Sequence, residues 1–170
     1  IKRFLKKNFF FCIIFIGENM EQELETLKLV SYDKNNLKHN KAKISLLSDF
    51  NFKKYFGDFF LRDADEYFTN SDKIELKKIY LIEDNNDIVG MIRLFSYHEL
   101  GYINIQYAVL PEYRGFGYGK RILSEITKYI MNDPNIKCVE GDIDKTNIGS
   151  IKIATSIGYN KENDKYRFRR

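Results

Sequence analysis

Tyr113-Arg114-Gly115-Phe116-Gly117-Tyr118-Gly119-Lys120 sets three glycines at alternate positions between a strand-like run and a helix-like run. Upstream, over residues 102–110, Ile103, Ile105, Tyr107 and Val109 fall on one face while Asn104 and Gln106 fall on the other. Pro111 cannot donate to a ladder and ends that strand. Downstream, Ile122, Leu123, Ile126, Tyr129 and Ile130 form the apolar stripe of a helix, which Asn132-Asp133-Pro134 stops. Glycines at this spacing let backbone N–H groups converge without Cβ obstruction, and the helix N-terminus adds its positive dipole. The turn is therefore a seat for a pyrophosphate, with charge available from Arg114, Lys120 and Arg121. Two other phosphate-binding signatures fit less well. The dinucleotide fingerprint needs G-x-G-x-x-G, and the nucleotide P-loop needs four residues between its glycines followed by Lys-Ser/Thr.

Outward from the turn, the chain reads as alternating strands and helices. Residues 24–31 predict a first strand, and residues 34–68 a helical stretch rich in aromatics. Two apolar runs flanking Asp84-Asn85-Asn86-Asp87 predict a hairpin. After the glycine turn and its helix, residues 136–144 predict another strand. Asn147 stands at the N-cap of a helix carrying Ile148, Ile151, Ala154 and Ile157, which Gly158 closes at C′. Residues 159–169, turning at Asn163-Asp164, predict a closing hairpin. The expected fold is α/β (α+β), a mixed central sheet flanked by helices.

At 170 residues the chain is the size of one domain, and 44% apolar with 31% charged residues fits a globular protein better than a membrane one. The formal net charge of +4 is mild, and Lys alternates with Glu and Asp, so no nucleic-acid partner is expected. Cys12 and Cys138 form no cluster with each other or with histidine, and no metal site is expected. Residues 1–19 differ from the rest: Lys2, Arg3, Lys6 and Lys7 precede an apolar run, residues 9–16, too short to span a bilayer. A genuine hydrophobic extension and a targeting segment are both possible readings, although Gly17-Glu18-Asn19 offers no small-x-small cleavage site. A mis-assigned start fits best, because Gly-Glu-Asn can be encoded GGA-GAA-AAT, a purine-rich ribosome-binding sequence before the codon of Met20. The expected organisation is a leader at 1–19 and a single domain at 20–170, cytoplasmic and not membrane-bound unless that leader is genuine.

Arg114-Gly115-Phe116-Gly117-Tyr118-Gly119 resembles the Q/R-x-x-G-x-G/A motif of the GNAT superfamily of N-acetyltransferases. The lead-in residues 107–113 resemble the strand and turn before that motif, and Asn147-x-x-Ser150 with Ile157-Gly158-Tyr159 is similar to the family's N-x-x-A/S…L-G-F segment. The Asn147–Tyr159 segment is most similar to the ribosomal-protein N-acetyltransferase branch. The resemblance covers roughly residues 79–159. It implies a splayed strand pair with acyl-CoA lying in the wedge. Backbone groups of Ala108, Val109 and Leu110 would meet the pantetheine arm and the thioester, and the amides of Phe116 to Arg121 would hold the pyrophosphate. Asn147 would contact the pantetheine or fix the wedge, and can cap its helix as well. The implied reaction moves an acetyl group from acetyl-CoA to a primary amine, of a small molecule or a peptide or protein N-terminus, by direct transfer in a ternary complex.

Such a reaction needs the acceptor ammonium deprotonated and the leaving thiolate protonated. Glu140, Asp142 and Asp144 alternate along the predicted strand and would share one side. The resemblance places Asp142 at the position of the proposed base, with Glu140 as second candidate. The family's usual acid, a tyrosine in the following helix, is replaced by Ala154. A non-catalytic acyl-CoA-binding module of the same fold is the alternative, and a nucleotide-binding protein of another fold is disfavoured by the glycine spacing. His39 and His98 receive no role, and the acceptor amine and the oligomeric state are not legible.

Overall fold

The alternation over residues 102–110 does form a strand, and it sits where the sheet divides. The computed structural model describes residues 22–56, 78–95 and 101–170. In chain order its elements are β1 (Gln22–Glu23), β2 (Lys28–Val30), α1 (Leu37–Ser48), α2 (Phe50–Phe56), β3 (Lys78–Asp84), β4 (Asp87–Phe95), β5 (Tyr102–Val109), α3 (Tyr118–Met131), β6 (Cys138–Gly141), α4 (Ile148–Ser156), β7 (Asn160–Glu162) and β8 (Lys165–Arg169). The eight strands form one sheet in the order β1-β2-β3-β4-β5-β6-β8-β7. Every neighbouring pair is antiparallel except β5 with β6. A parallel pair needs a long crossover, and α3 supplies it.

Local chemistry explains the turns. Asn85 and Asn86 both adopt positive φ, 50° and 68°, the pairing a two-residue hairpin turn matched to strand twist requires. Asn163 does the same for β7 and β8 at φ 56°. Asn147 caps α4 through its side chain, which accepts from the Ser150 N–H at 3.2 Å. Gly158, at φ 100°, closes α4 with the Tyr159 N–H donating to the Ala154 carbonyl and its own N–H donating to that of Thr155.

The sheet is covered on both sides. Ile103 and Ile105 face α3 and α4 with Ile122, Ile126, Ile130 and Val139, and partly buried Tyr107 and Val109 pack against that layer. Ala108 and Leu110 face α1 and α2 with Ala42, Leu46 and Phe52. The strand faces expected from the sequence are the observed ones.

Three expectations need correction or narrowing. The first strand, expected at 24–31, is a short hairpin, with Gln22 opposite Leu29. Of the aromatic helical stretch 34–68, α1 and α2 are seen, and residues 57–68 lie outside the described residues, as do His98, Cys12 and the whole of 1–19. The strand expected at 136–144 is only Cys138–Gly141, because β8 pairs with no residue beyond Gly141. Asp142 and Asp144 therefore lie past the strand end, although Glu140, Asp142 and Asp144 all line one cavity.

Candidate functional site

β5 and β6 pair only through Tyr102–Cys138, Ile103–Val139 and Asn104–Glu140. Beyond them the strands part and leave the edge of β5 open from Ile105 to Val109. The Leu110 N–H donates to the Val89 carbonyl at 2.9 Å, and the carbonyl of Ala108 lies only 2.4 Å from where a Cβ on Gly90 of β4 would stand. Backbone groups alternate in direction along a strand, so those of Tyr107 and Val109 face the open edge instead. This corrects the expectation for Ala108, Val109 and Leu110. Of the three, only Val109 offers its N–H to the wedge, and Tyr107 joins it. The Pro111 stop fixes where the ladder ends but not which groups it uses, and that choice is set by the pairing with β4.

The glycine turn opens onto the same wedge. Gly115 and Gly117 adopt φ 83° and 85°, a conformation a side chain resists, and Gly117 is the N-cap of α3 with no side chain capping it. Among the described residues, no amide from Gly115, Phe116, Gly117, Tyr118, Gly119 or Lys120 donates to a backbone carbonyl outside a regular element. Converging amides at a helix N-terminus form an anion seat. The expectation ran to Arg121, but its N–H donates to the Gly117 carbonyl at 3.2 Å. The turn lines a cleft of about 610 Å³, bounded opposite by Thr146, Asn147, Ile148 and Ser150 of the α4 N-terminus and by Phe52 and Tyr55 of α2.

The two arginines expected to add charge to the turn are occupied elsewhere. Arg114 gives two hydrogen bonds to the Asp49 carboxylate, at 3.0 and 2.7 Å, and a third from Nε to the Val109 carbonyl at 3.1 Å. Those bonds hold the Asp49 carboxyl below the ordinary range. Arg121 reaches Asp84 through both terminal nitrogens, at 2.8 and 3.1 Å, and lowers that carboxyl likewise. The Tyr118 hydroxyl also donates to Asp84, at 2.8 Å. Lys120 is exposed, lines the cleft and forms no ion pair among the described residues. It is the cation left for a phosphate.

A smaller cavity of about 90 Å³ lies deeper in the wedge, sharing Tyr55, Phe56, Tyr107, Asn147 and Ser150 with the cleft. Its mouth is acidic. Asp142 is exposed there, its Oδ2 accepting from Asn104 Nδ2 at 3.0 Å and lying 3.6 Å from Lys165 Nζ. Glu140 is different. It is 5% exposed and its two carboxylate oxygens accept from Lys165 Nζ at 2.7 Å and Arg167 Nε at 3.0 Å. Burial opposes its ionisation, but the two cations outweigh that and hold its carboxyl below the ordinary value. A carboxylate so paired is a poor proton acceptor, which removes Glu140 from the candidate bases. Asp144 is exposed and caps the following turn, accepting from the Thr146 N–H and hydroxyl. Tyr107 carries a buried hydroxyl beside Gly119, and burial, only partly offset by the nearby Ser150 side chain, pushes its pKa up to about 12. His39 is structural, its Nδ1 accepting from the Asp33 N–H at 3.0 Å. No group of metal-ligating side chains occurs among the described residues, nor any helix long and apolar enough to cross a membrane.

Comparisons agree with this geometry. Residues 31–160 match the family model described as acetyltransferase (GNAT) domain. No curated protein matches the sequence. Among solved structures, a GNAT-family acetyltransferase from Bacillus anthracis superposes with a TM-score of 0.73 at 18% identity, covering 88% of this chain and 98% of that one. An aminoglycoside acetyltransferase solved with coenzyme A follows at 0.68 and 15%, covering 85% and 94%. A candidate ribosomal-protein-serine acetyltransferase from Vibrio cholerae gives 0.66 and 14%, covering 89% and 98%. With a parted β5 and β6, an uncapped glycine turn facing the gap, and a family match over most of its length, this chain belongs to the GNAT family of acetyltransferases.

Proposed function

We propose that the chain moves an acetyl group from acetyl-CoA to a primary amine, of a small molecule or a peptide or protein N-terminus, by direct transfer in a ternary complex. The observation that carries this reading is the row of amides from Gly115 to Lys120 that find no carbonyl acceptor outside α3 among the described residues, facing a cleft that runs on along the open edge of β5. Those amides and the Lys120 ammonium suit a pyrophosphate, and the similar aminoglycoside acetyltransferase was solved with coenzyme A in place. Bound there, acetyl-CoA supplies an acyl group already activated as a thioester.

The chain's own residues supply the rest. The Val109 and Tyr107 N–H groups, held by the β4 ladder on the open edge of β5, face where the pantetheine arm and then a thioester oxygen gaining charge would lie. Asp142 stands at the acidic mouth, where it draws an ammonium and takes its proton directly or through water. Asn147 holds the α4 end of the wedge as a cap. Ala154 offers no proton, and the Tyr118 hydroxyl is held by Asp84, so the thiolate leaves with a proton from water or from the amine. We place this activity in the cytoplasm, where acetyl-CoA is available.

The test is Gly117→Val. A β-branched residue at φ 85° is strained, and its side chain would enter open space at the turn that lines the cleft. By calorimetry, CoA affinity should fall at least ~10-fold while thermal unfolding stays cooperative. Unchanged affinity in the folded variant would move the site elsewhere. Release of free thiol from acetyl-CoA across an amine panel then separates an enzyme from a non-catalytic acyl-CoA-binding module.

A further inference from the structure

The deeper cavity in the wedge has two unlike ends. Its mouth carries Asp142 and Asp144, whereas Ile105, Leu123, Ala154, Tyr159 and Tyr166 line its inner part beside the Glu140 carboxylate, whose oxygens are taken by Lys165 and Arg167. All five belong to the buried core, Ala154 at 1% exposed and Tyr159 at 3%. The one polar atom Tyr159 carries is turned into the core, where its hydroxyl shares a 2.7 Å hydrogen bond with Thr127. The cavity is thus apolar on this side, while polar groups line the rest of it. It is also large for a packed interior. A water occupies about 10–15 Å³ by this measure, and the cavity offers about 90 Å³.

Resting on the coenzyme A site argued above, we infer that this cavity is an acyl pocket that accepts chains longer than acetyl, of three to four carbons. Direction supports this occupant. A chain anchored at Gly115–Lys120 and running along the open β5 edge passes Val109, then Tyr107, and reaches Ile105 at the cavity wall. The acyl end, last along that path, enters the void. An acceptor ammonium suits the inner part less well than the acidic mouth, because the Glu140 carboxylate there is already taken by two cations whereas Asp142 and Asp144 are exposed. In transfer, the C–S bond of the thioester breaks and a C–N bond forms; the amine gives up one proton and the leaving thiolate takes one. The acyl length alters none of this.

Calorimetric titration with CoA, acetyl-CoA, propionyl-CoA and butyryl-CoA tests the inference without any acceptor. Each methylene buried in an apolar site adds about 4-fold in affinity, from about 0.8 kcal/mol per CH₂. Butyryl-CoA should therefore bind roughly 10- to 15-fold more tightly than acetyl-CoA. Ala154→Val and Leu123→Phe extend side chains into the void from different helices. Either one should erase the gain with chain length while CoA itself binds as in the parent, which also shows that the variant is folded. Failure of CoA to bind at all would overturn the donor site itself. Normal CoA binding with no preference for propionyl or butyryl, or a gain that survives both filled variants, would overturn the acyl pocket alone.

Discussion

At the scale of single residues, two neighbouring carboxylates stand in opposite settings. Glu140 is buried and doubly paired, whereas the Asp142 side chain is 52% exposed at the cavity mouth with one hydrogen bond from Asn104. Asp142→Asn keeps the shape and removes the charge. It is expected to lower the rate of thiol release from acetyl-CoA with an accepted amine by about 100- to 10,000-fold at neutral pH, with CoA affinity unchanged. The loss should shrink at high pH, where the amine is already neutral. Equal activity of parent and variant at neutral pH would demote Asp142 to surface. Glu140→Gln should act on stability instead. Among the described residues it leaves Lys165 with Asp142 alone and Arg167 with Glu162 alone, and the two cations are 24% and 21% exposed, so the cost is about 1–2 kcal/mol, below that of a fully buried pair. Because the folded Glu140 carboxyl lies below its ordinary value of 4.5, its contribution is complete above that value and fades as pH falls through the lower folded one. Chemical denaturation should thus show the variant's deficit at neutral pH and see it close in acid.

At the scale of elements, what the sequence made legible was local and what it hid was long-range. The Asn85-Asn86 and Asn163 turns, the Asn147 cap and the Gly158 stop are each decided within a few residues, and all four stand where their residue types predict. The strand ending at Gly141 could not be read, because the alternation of apolar and acidic residues continues to Asp144 while the partner strand does not. Nor could the work of Arg114, whose partner Asp49 is 65 residues away between α1 and α2. That pair joins the glycine turn to the helix forming the far wall of the cleft. Arg114→Ala should accordingly loosen α2 and leave the amide seat in place. We expect about 1–3 kcal/mol of lost stability, with CoA affinity altered less than ~3-fold. A double-mutant cycle with Asp49→Ala should return a coupling of about 0.5–3 kcal/mol. Additive effects of the two substitutions would show that the bridge carries no weight, and a large loss of CoA affinity would return Arg114 to the phosphate.

At the scale of the whole molecule, the wedge is electrically two-ended. Free amides and Lys120 lie at one end, and Asp142 and Asp144 lie at the other, so a phosphorylated thioester and an ammonium are each drawn to their own side. The last prediction follows from what holds the two ends in place. The amides from Gly115 to Lys120 hang outside the hydrogen-bonded framework, while Ile122, Ile126 and Ile130 a turn or more along α3 are buried in the larger core. In the free protein, amide exchange followed by NMR should be fast over the turn and slow over the body of α3. Saturation with CoA at about 100 times its Kd adds about 2.7 kcal/mol of stability, so core amides that exchange only by global unfolding should slow about 100-fold. The turn amides should slow as well, for a different reason: they acquire acceptors, so their protection appears under conditions where the core has not begun to exchange. ATP, which carries phosphates but no pantetheine to lie along β5, should protect them less. Protection of the core without protection of the turn would mean that CoA binds this fold somewhere other than its glycine-rich end.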